Sequence, residues 1–102
     1  MKLKPGVCVT GIQPEMIVGL IAAQAVFAAL EYDFVITSVT EGKHSKGSRH
    51  YSGQAIDIRT RHLSDEVAIE ALSKIKKALP NDFDCIKEKT HLHLEFDPRF
   101  RR

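Results

Sequence analysis

Cysteine is scarce in this chain of 102 residues, which has only two. Cys8 and Cys85 lie far apart and form no C-x-x-C motif, and this excludes a cysteine-based zinc knuckle and a thioredoxin-like redox pair. No secretory signal is recognisable near the amino terminus. We therefore expect cytoplasmic synthesis without a signal peptide, where thiols stay reduced, and two free cysteines.

Long apolar runs and aromatic residues are also few. The longest apolar run, from Met16 to Leu30, is interrupted by Gln24 and is shorter than the roughly 20 residues that cross a bilayer, so we expect no membrane insertion. Aromatic residues make up 7% of the chain, and the formal net charge is +2. Because nucleic-acid binding relies on basic surfaces and stacking aromatic side chains, no nucleic-acid partner is expected either.

The rest of the composition indicates one compact domain. With 43% apolar residues, the chain can build one hydrophobic core but is too short for two, so we predict a single domain over residues 1–102 and favour a monomer.

Apolar periodicity and turn signals define the predicted helices and strands. These are a helix from Pro14 to about Tyr32, a strand Phe34–Val39, a loop Glu41–Arg49, a strand Gln54–Arg59, and a helix that begins after Ser64 and stops at Pro80. The last segment is either two strands, Phe83–Ile86 and Thr90–Phe96, or one strand interrupted around residues 87–89. Their order predicts an α+β fold with a small antiparallel sheet packed against two main helices.

The two predicted helices differ in pattern. The first is apolar almost all round, because alanines fill the positions between Met16, Leu20 and Phe27, and a helix without a polar face is expected to be substantially buried. The second has a single apolar stripe that includes Ile75. Ser64 is its expected N-cap.

Two short segments carry candidate chemistry. Residues 50–59 read HYSGQAIDIR and residues 91–96 read HLHLEF, and together they hold three of the five histidines. Since side chains alternate along a strand, Asp57 lies on the face opposite its two isoleucine neighbours. The same rule puts His91, His93 and Glu95 on one face. The polar faces of the two strands can therefore meet across the sheet.

A turn can bring a third polar side chain to this face. His50 has the wrong parity to share a straight strand's face with Asp57, but Ser52 and Gly53 permit a turn that folds it back over the carboxylate. Two imidazoles and one carboxylate, with a fourth position open, form the ligand set expected of catalytic zinc. We therefore predict that His50, Asp57 and His93 bind Zn²⁺ and that the ion activates water for amide hydrolysis.

The same residues carry a resemblance to a known family. The segment SRHYSGQAID, residues 48–57, followed by HLH, residues 91–93, resembles the SxHxxGxAxD and HxH signature of the zinc D-alanyl-D-alanine carboxypeptidase and endolysin peptidase family. The resemblance directly covers about residues 37–60 and 83–98. It implies the fold shared by hedgehog domains and D,D-peptidases, zinc at the three predicted ligands, and His91 beside the metal, where it steadies the oxyanion or the bound water.

The resemblance also implies a general base. Family members generally place a glutamate a few residues before the last histidine ligand, which points to Glu88. Its parity is opposite to that of His93, so it reaches the metal only if residues 87–90 leave regular strand geometry, and Glu95, which has the right parity, is the alternative. Many members use Glu-x-x-His with that histidine as ligand, which would make His91 the ligand here. The members with HxH use the second histidine, as we do.

Three residues of the preceding loop receive supporting roles. Ser48 is expected to hydrogen-bond within the loop and orient the ligands, since no strand-turn-helix elbow for a nucleophile surrounds it. The similarity of the loop to that of hedgehog domains implies that His44 lines the cleft. Family members often carry an upstream arginine that holds the substrate carboxylate, and this chain offers only Lys43 or Arg49 for that role.

The resemblance thus implies a zinc peptidase, of phage or bacterial type, that acts on peptidoglycan or its peptide fragments. It could be a carboxypeptidase or an endopeptidase, and it could reach the cell wall after lysis-type release. The competing hypothesis is a non-catalytic, zinc-stabilised binding module of the hedgehog kind. A carboxylate within one water molecule of the metal separates the two.

Overall fold

The computed structural model describes residues 1–42 and 48–98. Within them, a five-stranded sheet carries two helices on one face, which makes the fold α+β, as predicted. The elements in chain order are β1 (Lys2–Leu3), α1 (Pro14–Ala29), β2 (Val35–Ser38), β3 (Ala55–Arg59), α2 (Asp65–Ala78), β4 (Phe83–Lys87) and β5 (His91–Phe96).

The sheet is mixed, with the strand order β1-β2-β3-β5-β4. The pairs β2/β3, β3/β5 and β4/β5 are antiparallel, whereas β1 runs parallel to β2. Backbone hydrogen bonds from Lys2 to Phe34 (2.8 Å) and from Lys4 to Ile36 (2.9 Å) hold β1 at the edge. The prediction of an antiparallel sheet was therefore wrong at this edge, because a strand of two residues is too short to show an alternating pattern.

The hydrophobic core lies between the sheet and the helices. Its strand residues alternate along the chain, so that every second side chain of β3 and β5 points toward α1 and α2. The core includes Ile36, Ile56, Ile58, Leu92 and Leu94 from the strands, and Met16, Ala23, Phe27, Ala71 and Ile75 from the helices. The predicted parity is confirmed. The residues between these strand positions, Asp57 and His93 among them, face the side of the sheet opposite the helices.

Helix α1 ends earlier than predicted. It stops at Ala29 rather than near Tyr32, because Glu31 adopts a left-handed conformation with φ of 64°. The N–H of Glu31 donates to the Ala28 carbonyl and that of Tyr32 to the Phe27 carbonyl, both at 3.1 Å. This is the hydrogen-bond pattern of a Schellman motif, which satisfies the last carbonyls of a helix.

One apolar stripe of α1 faces solvent. Ile17, Val18 and Ile21 are 42%, 56% and 60% exposed, so the expectation that α1 is substantially buried was wrong for this side. The core takes only the opposite stripe, because the helix rests on the sheet by one face. None of the helices in the described part of the chain is both long and apolar enough to cross a membrane.

Helix α2 follows its sequence signals closely. The Ser64 hydroxyl accepts a hydrogen bond from the Val67 N–H at 3.2 Å, which confirms the predicted N-cap. Ala68, Ala71 and Ile75 are buried against the sheet. The helix packs against β4 and α1, on the side of the sheet opposite the polar face.

Candidate metal centre

Asp57 and His93 are brought together by the register of β3 and β5. They are direct partners in the antiparallel pair, and direct partners project from the same face of a sheet. His93 Nδ1 lies 3.0 Å from Asp57 Oδ1. The prediction that the polar faces of the two strands meet is confirmed.

The turn at residues 50–53 brings His50 to the same carboxylate. Gly53 has a φ of +73°, which favours glycine, and its N–H donates to the His50 carbonyl at 3.1 Å. A Cβ at this position would overlap the backbone of Gly11. The predicted role of the glycine is confirmed, because the turn places His50 Nε2 3.1 Å from Asp57 Oδ1.

The main chain fixes the orientation of the His50 ring. Its Nδ1 lies 2.6 Å from the Val39 carbonyl oxygen, and the side chain is 2% exposed. Since a carbonyl oxygen only accepts, Nδ1 carries the hydrogen, and the ring presents Nε2 to Asp57. A backbone carbonyl on the far nitrogen is a typical support for a histidine metal ligand. Sequence reasoning missed Val39, because a backbone acceptor leaves no mark in the side-chain pattern.

The three predicted ligands fit a zinc ion. One donor atom each from His50, Asp57 and His93 lies within 4.8 Å of the other two. Two imidazole nitrogens and a carboxylate oxygen are a donor set that zinc prefers, with bonds of about 2.0–2.2 Å. The side chains of Asp57 and His93 remain partly exposed, so solvent or a substrate can approach the remaining position. Convergence of the ligands is confirmed, and binding of the metal stays a prediction.

Electrostatics at the site favour a bound cation. Burial alone would raise the pKa of Asp57, but its hydrogen bonds with His50 and His93 outweigh burial and hold that pKa well below its usual range. The hydrogen bond with Asp57 raises the pKa of His93 to about 9 against the opposing effect of burial. Its Nε2 also lies 2.8 Å from Glu95 Oε1, so the ring stands between two carboxylates. A proton or a metal ion can satisfy this arrangement.

His91 lies beside the ligand set. Its Nε2 is 3.8 Å from Asp57 Oδ1, and its Nδ1 is 3.1 Å from the Thr90 hydroxyl. The side chain is 30% exposed. It is therefore placed to contact a group held over the ligands, as the resemblance implies.

Glu88 lies on the same face of the sheet as the ligands. The β4/β5 register pairs Lys87 with Leu92, and beyond this pair the Glu88 N–H donates to the His91 carbonyl at 2.8 Å. Extending the register sets Glu88 opposite His91, and opposite residues share a face. Residues 88–90 form the connection between the strands, whereas Lys87 is still part of β4. The pairing of the strands, rather than a departure from strand geometry, sets this face, and contact of Glu88 with a metal stays a prediction. The Glu88 side chain is exposed.

Ser48 supports His50 as predicted. Its hydroxyl accepts a hydrogen bond from the His50 N–H at 3.2 Å, and its carbonyl accepts one from the Tyr51 N–H at 3.2 Å. These contacts set the direction in which the ligand leaves the loop. His44 and Lys43 lie outside the described residues.

Arg49 connects the loop to Asp97, the residue that follows β5. Its guanidinium donates to Asp97 Oδ1 at 2.9 Å and to Gln54 Oε1 at 3.0 Å, and the Asp97 side chain is 4% exposed. A substrate carboxylate would have to compete with these partners. The geometry therefore favours a positioning role for Arg49, and its predicted contact with substrate is untested.

A groove of about 640 Å³ opens beside Asp57 on the same face. Strands β1, β2 and β3 form its floor and walls, and Lys4, Arg59 and Arg61 contribute cations to its lining. Sequence reasoning missed this feature, because β1 was not predicted. The parity of Arg59, which equals that of Asp57, is the one signal that pointed to it.

Comparison of the chain with protein-family models, curated proteins and solved structures finds no match in any of the three. Support for a family therefore comes from the SRHYSGQAID and HLH segments. Membership of that family stays a proposal.

Proposed function

We propose that the protein is a zinc-dependent peptidase that hydrolyses peptide bonds in peptidoglycan stem peptides or their fragments. The observation that carries the proposal is the convergence of His50, Asp57 and His93 beside a groove on the open side of the sheet. The resemblance of the two motifs to the zinc carboxypeptidase and endolysin signature supports the choice of substrate.

When bound, a zinc ion supplies Lewis-acid chemistry, which polarises a carbonyl and lowers the pKa of water toward neutrality. The chain's own residues hold and orient the reacting groups. The Val39 carbonyl aims Nε2 of His50 into the site. His91 donates to the oxygen that becomes negatively charged in the transition state. Glu88 accepts the proton of the attacking water as general base.

Glu88 is preferred to Glu95 as the base because of their contacts. The Glu95 carboxylate is engaged with His93 Nε2 at 2.8 Å, so it orients a ligand. Glu88 is exposed at the rim, directly after the last residue of β4. Its side chain can turn toward a substrate without breaking a ligand contact.

Digestion of purified peptidoglycan with and without a chelator, with fragments identified by mass spectrometry, tests the proposal. Asp57→Ala should lose zinc and cleavage together, since it removes the ligand that both histidines contact. Glu88→Gln should keep zinc and lose cleavage. Glu70→Gln on α2, which removes an exposed carboxylate, is the matched control and should keep both. Tight zinc binding by Asp57→Ala would contradict the ligand assignment.

A non-catalytic zinc-stabilised binding module is the second candidate. It is favoured by one observation: among the described residues, no hydrogen bond or ion pair links the Glu88 side chain to the ligands. One zinc ion per chain without cleavage of any peptidoglycan fragment would select this candidate. Chelator-sensitive cleavage would exclude it.

A further inference from the structure

The groove beside Asp57 has an excess of positive charge. Lys2 and Asp33 form an ion pair across it at 2.9 Å, and the Asp33 carbonyl accepts from His62 Nε2 at 2.8 Å, so these groups satisfy one another. Lys4, Arg59 and Arg61 remain as further cations of the lining. Asp57, the other acidic residue of the lining, is engaged with histidines.

The two arginines are available to a ligand. Arg59 is the last residue of β3 and Arg61 lies in the turn that follows it. Both arginines are exposed, and both line the groove. Within residues 1–42 and 48–98, neither forms an ion pair. Their guanidinium groups are planar forks of donors that match carboxylates.

Their spacing matches that of an extended peptide. Arg59 and Arg61 are two residues apart, so their Cα atoms are at most about 7 Å from each other. Alternate side chains of an extended peptide repeat at about this distance. Arg59 also lies directly opposite His91 and two positions from Asp57. A peptide along the groove can therefore meet both arginines with alternate side chains while its backbone passes the candidate metal centre.

The lining favours a peptide over a nucleic acid. Single-stranded nucleic acids bind through aromatic side chains that stack on bases, and the described lining residues include no phenylalanine, tyrosine or tryptophan. The volume of about 640 Å³ lies in the range of about 300–1,000 Å³ typical of small-ligand sites. A short acidic peptide satisfies both the size and the charge.

We infer that the groove binds an acidic segment of an extended peptide, with Arg59 and Arg61 contacting carboxylates at alternate positions. These carboxylates belong to side chains on one side of the scissile bond, because Arg59 and Arg61 both follow Asp57 in the same direction along the chain. The inference rests on the proposed function for the place of that bond, whereas binding can be measured without turnover.

Fluorescence anisotropy with three labelled, C-terminally amidated peptides tests it. They are Ala-Glu-Ala-Glu-Ala, its glutamine counterpart Ala-Gln-Ala-Gln-Ala, and Ala-Ala-Glu-Glu-Ala, in which the carboxylates are adjacent. The zinc-loaded full chain carries Glu88→Gln to suppress cleavage. In this background, Arg59→Gln/Arg61→Gln is compared with Lys76→Gln/Lys77→Gln, which removes two exposed charges from α2.

The alternating acidic peptide should bind at least about fivefold more tightly than the glutamine peptide, as expected for two exposed charge contacts. It should also bind more tightly than the peptide with adjacent carboxylates. The arginine variant should lose the preference and the lysine variant should keep it. Equal binding of the glutamate and glutamine peptides, equal loss in both variants, or displacement of the acidic peptide by oligothymidylate at lower concentration would overturn the inference.

Failure of the inference can be told apart from failure of the proposed function. Acidic preference that depends on the arginines, in a protein that cleaves no peptide, supports the groove and refutes the peptidase. Cleavage of peptidoglycan fragments without any acidic preference refutes the groove and leaves the peptidase standing.

Discussion

Replacing Gly53 with alanine should disable the candidate metal centre by moving one turn. Two effects act at this position. The φ of +73° is unfavourable for any residue with a Cβ, at a cost of about 1–2 kcal/mol. The new Cβ would also lie 2.9 Å from the Gly11 carbonyl carbon and 3.1 Å from Ile12 Cα, both tighter than the 3.4 Å at which ordinary contact begins.

Relief of this overlap requires movement of backbone, because the groups that it meets are main-chain atoms. Separation of the two segments stretches the hydrogen bond from the Gln13 N–H to the Gly53 carbonyl, 2.9 Å long, which contributes about 1 kcal/mol. With the conformational term, the loss of stability is about 2–3 kcal/mol. The turn that moves carries His50, so zinc affinity should fall as well.

Gly6→Ala is the matched control. Gly6 has a φ of +92° and no atom within 4 Å of a built Cβ, so it carries the conformational cost without the overlap. It should lose about 1–2 kcal/mol and keep its zinc affinity. Urea unfolding and zinc titration of both variants measure the difference. Equal losses of stability, or unchanged zinc affinity in Gly53→Ala, would refute the reasoning.

In chelator-treated protein, His93 should make stability fall as the pH rises. Its folded-state pKa of about 9 exceeds the ordinary 6.5, so its contribution to stability is complete below pH 6.5 and is lost as the pH passes through about 9. Zinc affinity should rise over the same interval, because zinc displaces the proton. Urea midpoints and zinc affinities that do not change with pH would contradict these two expectations. Arg49→Met should cost about 1–3 kcal/mol because it removes the guanidinium that donates to the buried carboxylate of Asp97. In thermal melts, Arg49→Lys should recover part of the stability that Arg49→Met loses. If Arg49→Met loses no more stability than Arg49→Lys, the ion pair between Arg49 and Asp97 is not needed for stability. Ser48→Ala should weaken zinc binding about tenfold by releasing the His50 N–H, measured by competition with a chromogenic chelator, whereas Ser48→Thr should bind as the wild type does.

Strand alternation was enough to find most of the site because alternation is a local property. The faces of Asp57 and His93 follow from their immediate neighbours, and both segments are long enough to show the pattern. Gly53 carried an equally local signal, since a glycine between a histidine and an aspartate of opposite parity indicates a turn. The motif resemblance named the same ligands.

The alternation pattern along one segment does not reveal features that depend on how two segments pair. The position of Glu88 depends on the turn that joins β4 and β5, so its parity relative to His93 in the sequence does not determine its face. The contact of His50 with Val39 involves a main-chain carbonyl, which any residue type provides. The exposed stripe of α1 was misjudged because hydrophobicity tells which side chains can be buried, whereas the sheet offers room for only one side of the helix.

One face of strand β5 contributes to the hydrophobic core and the other to the candidate metal centre. A register that builds the core correctly therefore also places the ligand correctly. Leu92 and Leu94 complete the core while His93 meets Asp57. A slip of one residue would turn imidazoles into the core and leucines to the solvent. A chain with a misplaced metal ligand would therefore also be an unstable chain. Errors of register are eliminated by unfolding, so the population of folded molecules should contain almost no copies with a defective centre.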